Sequence, residues 1–400
     1  MNSEFQRKIK NISFEIAYFL YILSLLIGLT MFKDIHSVSL FQDILRNLSY
    51  IFLVLKICVD FYDSQNKIKF IVIWLLLIGP GLIVSYVTHS ITLLTTLVFV
   101  LCAYQIDFDK LLKKILIINI VFVVVTVLSS CLGIIPNLSF IQEERVRYSL
   151  GFTYPSHLTS FLFFNTLIYI FIKKNNLKTK DYLILGILSV LCYCMTDARM
   201  GLICTILVLI VFFLIYNYSH VHIPKIINRC IVCSPLIFAG ITTFLAVIYD
   251  KSSMILLFLN QCLNGRLGYA KYILGKHGID LFGNYIEWHG WVGNQGVNMI
   301  SNYNFVDISY VKILANYGIV VFIFFVVFLS LLCYKAYIKK NICLQFIIFF
   351  ICMYSVVEPR LIELHFNPFI LLLLNQSYLL THTEIVELKN KFLKKYKLKR

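Results

Sequence analysis

Arginine is scarce in this chain and unevenly placed. Of its nine arginines, five (Arg145, Arg147, Arg199, Arg266 and Arg360) stand in polar segments between long apolar runs. Three of these segments also carry acids. Glu143 and Glu144 precede the first pair, Asp197 sits in "TDAR" (196–199), and "VEPRLIELH" (357–365) holds Glu358, Glu363 and His365. A guanidinium is a planar fork that grips phosphate or carboxylate through two parallel hydrogen bonds. Several of them on one surface suit an anionic ligand. For a proton taken from a hydroxyl, His or a carboxylate is suitable, and the candidates are His289, His157, His365, Glu358, Glu363, Asp197 and Glu143. No Asp-x-Asp pair or histidine cluster has divalent-metal spacing, so we expect neither metal nor cofactor. Each residue also has a plainer role: outer arginines can snorkel to lipid headgroups, and Asp197 can simply orient Arg199. His289, between Trp288 and Trp291, suits a membrane interface.

Whether those arginines share a surface depends on the elements between them. Of the 400 residues, 60% are hydrophobic and 14% charged, with a mean hydropathy of +0.82; soluble domains carry roughly 25% charged residues. Continuous apolar runs recur along the chain, long enough to cross a bilayer core of about 30 Å as helices. They lack the short alternating segments of a membrane β-barrel. The expected fold is an all-α polytopic membrane protein of about twelve transmembrane helices. We place them at 12–31, 38–58, 68–87, 89–105, 114–135, 156–172, 181–196, 199–217, 230–249, 309–332, 342–357 and 365–380. Gly79-Pro80-Gly81 threatens the third. The first run contains Glu15 and lacks a small-residue cleavage site, so it reads as a span and not a signal peptide.

Lysine and arginine bias orients the set. With both termini cytoplasmic, 25 of the 36 basic residues fall inside. Lysine carries that bias, whereas the five arginines above lie outside, where the rule disfavours positive charge. The domains expected are helices 1–9 (1–249), one large extracytoplasmic loop (250–308), helices 10–12 (309–383) and a basic cytoplasmic tail (384–400). Within the loop, "MILLFLNQCL" (254–263) is too short to span and suits the interface. "GRLGYAKYILGK" (265–276) reads as an amphipathic helix burying Leu267, Tyr269, Ile273 and Leu274. The formal charge of +16 is spread over loops, which argues against a nucleic-acid partner. Cys230 and Cys233 have CxxC spacing without a second pair, and read as small hydrophobes. Glu15 and Arg46, both inside early spans, are candidates to pair with each other.

The order of these segments has a likeness. An arginine loop comes first, then "T-D-A-R-x-G" between two spans. One large loop follows with "N-G-R" (264–266) and "H-G-x-x-L-F-G-N" (277–284), ending in "VDISYVKILANYGIVVFIFF" (306–325). Over roughly residues 130–335 this resembles the O-antigen ligase/polymerase superfamily, and within it the Wzy-type polysaccharide polymerases. The resemblance implies a GT-C-like, metal-independent glycosyltransferase of the bacterial cytoplasmic membrane. Its donor would be a glycan on undecaprenyl diphosphate, and its acceptor a second lipid-linked repeat unit. Membrane lipids, and possible association with a chain-length regulator and a flippase, come with that reading. It also implies catalytic roles for Arg199, Arg266 and His289, with His277 competing for the last. Diphosphate or substrate contacts would fall to Arg145, Arg147, Arg360, Asp197, Glu358 and His365. A ligase uses the same donor chemistry. A twelve-span transporter or lipid-linked oligosaccharide flippase is the alternative from another class, although no internal repeat supports it.

Overall fold

In a computed structural model, residues 3–142, 145–217, 224–290, 303–375 and 377–378 are described. Glu143, Glu144, Trp291 and the basic tail lie outside them. Apolar runs become helices because a helix satisfies every backbone polar group within its own segment. In chain order these are α1 (Ser3–Gly28), α2 (His36–Asp63), α3 (Lys67–Thr88), α4 (Thr92–Cys102), α5 (Phe108–Cys131), α6 (Pro155–Lys173) and α7 (Thr179–Thr196). Then follow α8 (Arg199–Asn217), α9 (Lys225–Val232), α10 (Ser234–Ile248), α11 (Met254–Cys262), α12 (Arg266–His277), α13 (Ser309–Ile338) and α14 (Ile342–Tyr354).

Seven of these, α1, α3, α5, α6, α7, α8 and α13, are long and apolar enough to cross a membrane. The pair α9 and α10, bent by 61° at a short break, makes an eighth if it is counted as one span; Pro235 lies in the first turn of α10, where a missing N–H costs nothing. By length and apolarity, seven of the twelve expected spans are matched among the described residues, or eight with the bent pair. Helix α2 is long but carries Asp43, Arg46, Lys56, Asp60 and Asp63. Helices α4 and α14 have only 11 and 13 residues, about 16–20 Å at 1.5 Å per residue. Within the run expected at 365–380, the described residues form no α-helix: Pro368–Leu373 winds as a tight 3₁₀ segment. It is fully buried, and it crosses the bundle to Asn375, whose Nδ2 donates to the carbonyls of Ala103 (2.7 Å) and Ile106 (3.0 Å). Pro80 sits inside an unbroken α3, as membrane helices tolerate.

The core is built from α1, α6, α13, α14 and this last segment, with Phe163 stacked on Tyr354 at 4.1 Å between ring centres. Outward faces of α3, α5, α7 and α8 show Leu75, Leu76, Ile117, Leu183 and Ile203 to the surroundings, as a lipid-facing helix does. Glu15 does not pair with Arg46. It takes Lys114 at 2.6 Å, and Arg46 takes Asp43 one turn away at 2.7 Å. Helix α11 leaves Met254, Ile255 and Phe258 exposed. Helix α12 buries Leu267, Ile273 and Leu274, whereas Tyr269 remains 40% exposed.

One departure from an all-α fold bears on the arginines. Ser139–Gln142 (β1) and Arg145–Tyr148 (β2) pair as an antiparallel hairpin with Phe140 opposite Arg147 and Gln142 opposite Arg145.

Candidate functional site

Alternation along a strand sends residues two apart to the same face. In β2 this aims Arg145 and Arg147 together, while Val146 and Tyr148 turn to the exposed side. The arginine pair meets the turn between α7 and α8. Asp197 ends α7 in the left-handed conformation, φ 44°, with its N–H on the Tyr193 carbonyl at 2.7 Å. Its carboxylate takes Arg145 at 2.5 Å, and its carbonyl accepts a second Arg145 hydrogen bond at 3.2 Å. Arg147 donates to the Thr196 carbonyl at 3.2 Å and lies over the Tyr154 ring. Among the described residues it pairs with no carboxylate. Arg199, the first residue of α8, is 57% exposed and only 3.6 Å from Asp197.

Gly201 explains why this turn can sit so close. A Cβ there would meet the Thr159 Cβ and Oγ1 at 2.6 Å, so only glycine lets α8 press against α6.

The large loop delivers Arg266 from another direction. Asn264 and Gly265 both take positive φ, 52° and 81°, and turn the chain into α12 with Arg266 at its first position. The guanidinium is nearly buried, 3.2 Å from Asp307 and 3.8 Å from Glu358. Burial works against its charge, but Asp307 and Glu358 outweigh that and hold its pKa above the ordinary value.

Glu358 is positioned by Ser309, the serine of "VDIS". The Ser309 hydroxyl donates to the Glu358 carbonyl at 2.6 Å and accepts from the Leu361 N–H at 3.2 Å, fixing the turn after α14. Ser156 donates to the Glu358 carboxylate at 3.2 Å. Burial first, and then the neighbouring Asp307, push this carboxyl up to about 7. Arg360 lies behind it, bound to Glu363 at 2.7 Å and 3.9 Å from Glu358. Burial works against the charge of Glu363, but Arg360, His365 3.4 Å away and Lys312 overcome it and hold Glu363 well below the usual carboxylate range.

Together these segments line one cavity of about 310 Å³, walled by Arg145, Arg147, Asp197, Arg199, Arg266, Asp307 and Glu358, with Tyr154, Tyr269 and Tyr303. Four arginines face three acids. Arg360 and His365 belong to the layer behind Glu358 and do not line it. His289 does not line it either: its N–H donates to Asn304 at 2.6 Å and its ring lies 3.8 Å from Glu287. His277 ends α12, away from the cavity. His157 is buried and bonded to Thr153 at 3.2 Å. Glu143 falls outside the described residues. Residues that the sequence alone did not single out are Tyr154, Tyr303, Ser156, and Ser309 as the lock on the Glu358 turn; Tyr269, expected only to pack, also lines the cavity. Cys230 and Cys233 are both exposed.

A second motif pair also meets. Gly283 of "LFGN" and Gly318 of "NYGIVV" cross with their backbones in contact. A Cβ on Gly283 would lie 2.1 Å from the Asn316 carbonyl oxygen, and one on Gly318 would lie 2.4 Å from the Gly283 nitrogen. Gly318 breaks α13 with φ 83°, and the N–H groups of Ile319 and Val320 bond instead to the carbonyls of Asp280 and Leu281. This clasp ties the large loop to the bundle.

A larger cavity of about 830 Å³ opens at the other end of α3 and α4, among Lys10, Lys56, Asp60, Asp63 and Trp74. Its Lys10 and Lys56 are paired with Asp63 and Asp60, and Lys69 also lines it. Compared with models of protein families, with curated proteins and with solved structures, the chain matches none.

Proposed function

We propose that this chain is a polysaccharide polymerase of the O-antigen ligase/polymerase kind, using arginine charge where other glycosyltransferases use a metal ion. The observation that carries the reading is the convergence of Arg145, Arg147, Arg199 and Arg266, from three segments far apart in sequence, on one cavity with Asp307 and Glu358. A diphosphate leaving group gathers negative charge as the anomeric bond breaks, and preorganised cations lower that barrier. Of the cavity's four arginines, Arg147 and Arg199 are the least neutralised by carboxylates and are assigned the first diphosphate contacts. Arg145 and Arg266, each held by a carboxylate, shape the cavity wall. Asp197 orients the arginines around it.

In the proposed step, a hydroxyl of the acceptor sugar attacks the anomeric carbon of the donor. The bond from that carbon to the phosphate oxygen breaks, and undecaprenyl diphosphate departs with the electron pair. The hydroxyl proton passes to Glu358, whose carboxyl titrates near neutrality, as suits a general base. Ligation to a different acceptor uses the same machinery.

The site end is assigned to the outer face of a bacterial cytoplasmic membrane, with twelve crossings once α2, α4, the bent α9–α10 pair, α14 and the 365–375 segment are counted. Supporting this, the arginine-bearing segments expected outside all meet at one end. The pairs Lys10–Asp63, Lys56–Asp60 and Lys174–Asp109 lie on segments expected inside. The test is direct: purified protein in detergent, given undecaprenyl-diphosphate repeat units, should yield a ladder of products. Arg147→Ala and Arg199→Ala should abolish it. Unchanged laddering in both variants would sink the arginine assignment, and no laddering with any repeat unit would favour transport.

A further inference from the structure

Beside the arginine cavity lies a second one of about 270 Å³, and its chemistry is different. Its walls include Trp288, Asn316, Ser90, Thr92 and the pair Lys312–Glu363, whose charged atoms are 3.8 Å apart. These two are the charged side chains of its lining, one of each sign, in contrast to the four arginines of the first cavity. Its aromatic lining is Trp288, with Lys312 Nζ 5.9 Å from the centre of its ring, and Tyr317, set among hydroxyl, amide and charged hydrogen-bonding groups. A pyranose offers the complement: an apolar C–H face for an indole and a rim of hydroxyls for polar side chains. The space falls below the roughly 300–1,000 Å³ of drug-sized sites, and so fits about one sugar ring.

The two cavities share a wall. Glu358 lines the first, and Pro359, Leu361, Ile362 and Glu363 line the second. Asp307 lines the first, and Ser309, two residues on, lines the second. Successive Cα atoms are about 3.8 Å apart, so the two cavities adjoin where Glu358 gives way to Pro359. We infer that the Trp288 cavity is a neutral-sugar subsite that holds the acceptor's terminal ring with one hydroxyl turned towards the arginine cavity. This rests on the polymerase reading for the name "acceptor". The sugar-binding claim itself stands on the cavity alone.

The experiment separates the two. Saturation-transfer NMR on the full-length protein in detergent reads protons of the ligand, so removing an indole does not blind it. The probes are free glucose, galactose, rhamnose and N-acetylglucosamine, with inorganic pyrophosphate titrated separately by calorimetry. At least one sugar should receive saturation. Its apparent affinity should fall about tenfold in Trp288→Ala, the loss of one stacked face, and less in Trp288→Phe and Thr92→Val. Pyrophosphate binding should be unchanged in all three, which also shows that they fold. No saturation of any sugar, or saturation indifferent to Trp288, overturns the subsite whatever pyrophosphate does. Sugar binding that depends on Trp288 without any pyrophosphate binding keeps the subsite and overturns the diphosphate reading.

Discussion

The Asp197 carboxylate holds Arg145 at 2.5 Å and stands 3.6 Å from Arg199, joining the hairpin to the turn between α7 and α8. Arg145 and Asp197 are 52 positions apart. Asp197 makes its contacts from a left-handed backbone that its short polar side chain tolerates better than a branched one would. The acid in "TDAR" is thus a spacer between two cations. It keeps Arg145 oriented and leaves Arg199 exposed enough to meet a ligand.

Because Arg147 and Arg199 are the least neutralised cations of the cavity, each should contribute one or more charge-assisted hydrogen bonds to a diphosphate. Such bonds are worth about 1.5–3 kcal/mol. Arg147→Ala and Arg199→Ala are therefore expected to weaken inorganic pyrophosphate binding by roughly 10- to 100-fold, read by calorimetry. Arg199→Lys should recover part of it, since lysine keeps the charge but loses the fork. Thermal unfolding of Arg199→Ala should match that of the parent, because the side chain is mostly exposed.

Gly201→Ala tests the packing beneath that turn. The added Cβ would fall 2.6 Å from the Thr159 Cβ, on an adjoining helix. Forcing a methyl into such a contact costs about 1–3 kcal/mol, and the strain is relieved by moving α8, two residues from Arg199. The expected outcome is a lower unfolding temperature together with weaker pyrophosphate binding. Adding Thr159→Gly removes the opposing Cβ and should restore much of the binding, while a residual loss of about 1 kcal/mol in stability remains from glycine inside a helix.

Gly283→Ala and Gly318→Ala should each prevent recovery of folded, monodisperse protein by size-exclusion chromatography. Both residues adopt positive φ, and both would drive a Cβ into opposing backbone at 2.1–2.4 Å. Backbone cannot swing aside as a side chain can. Gly275→Ala is the control: it lies within α12 with open space around it, so alanine should be neutral or stabilise slightly.

Part of this site could be read in the sequence, for a physical reason. Positive charge on segments expected outside runs against the lysine bias, which singled out five arginines, and Arg145, Arg147, Arg199 and Arg266 do share one cavity. What the sequence withheld depends on tertiary contact. Hydropathy reports the solvent a segment prefers and not its backbone geometry, so 365–380 looked like a helix, yet Pro368–Leu373 within it winds as a buried 3₁₀ segment. Glu15 finds Lys114, 99 positions away, where proximity in sequence suggested Arg46. The hairpin that aims Arg145 and Arg147 was hidden because two four-residue strands give only a brief alternation. His289 drew attention through its neighbours Trp288 and Trp291, but its backbone N–H is engaged by Asn304, and its ring falls outside the cavity wall.

Glu358 gives the last prediction, which concerns pH. Its folded pKa, about 7, lies above the ordinary carboxyl value of 4.5. A carboxyl raised in this way favours the fold most while it stays protonated. That contribution is therefore complete below about pH 4.5 and is lost as pH rises through 7, by on the order of 3 kcal/mol at most. Glu358→Gln keeps an uncharged group that can still accept from Ser156, so its unfolding temperature should vary less between about pH 5 and 8. Above neutrality it should be the more stable of the two proteins. Catalysis runs the other way, because a base works only when deprotonated. Laddering by the parent protein should climb through pH 7 as its stability declines, and Glu358→Gln should be inactive throughout. Parallel unfolding curves for the two proteins would show that the carboxyl is not raised. Retained laddering in Glu358→Gln would move the base to Asp307, the other carboxylate beside Arg266 on the cavity wall.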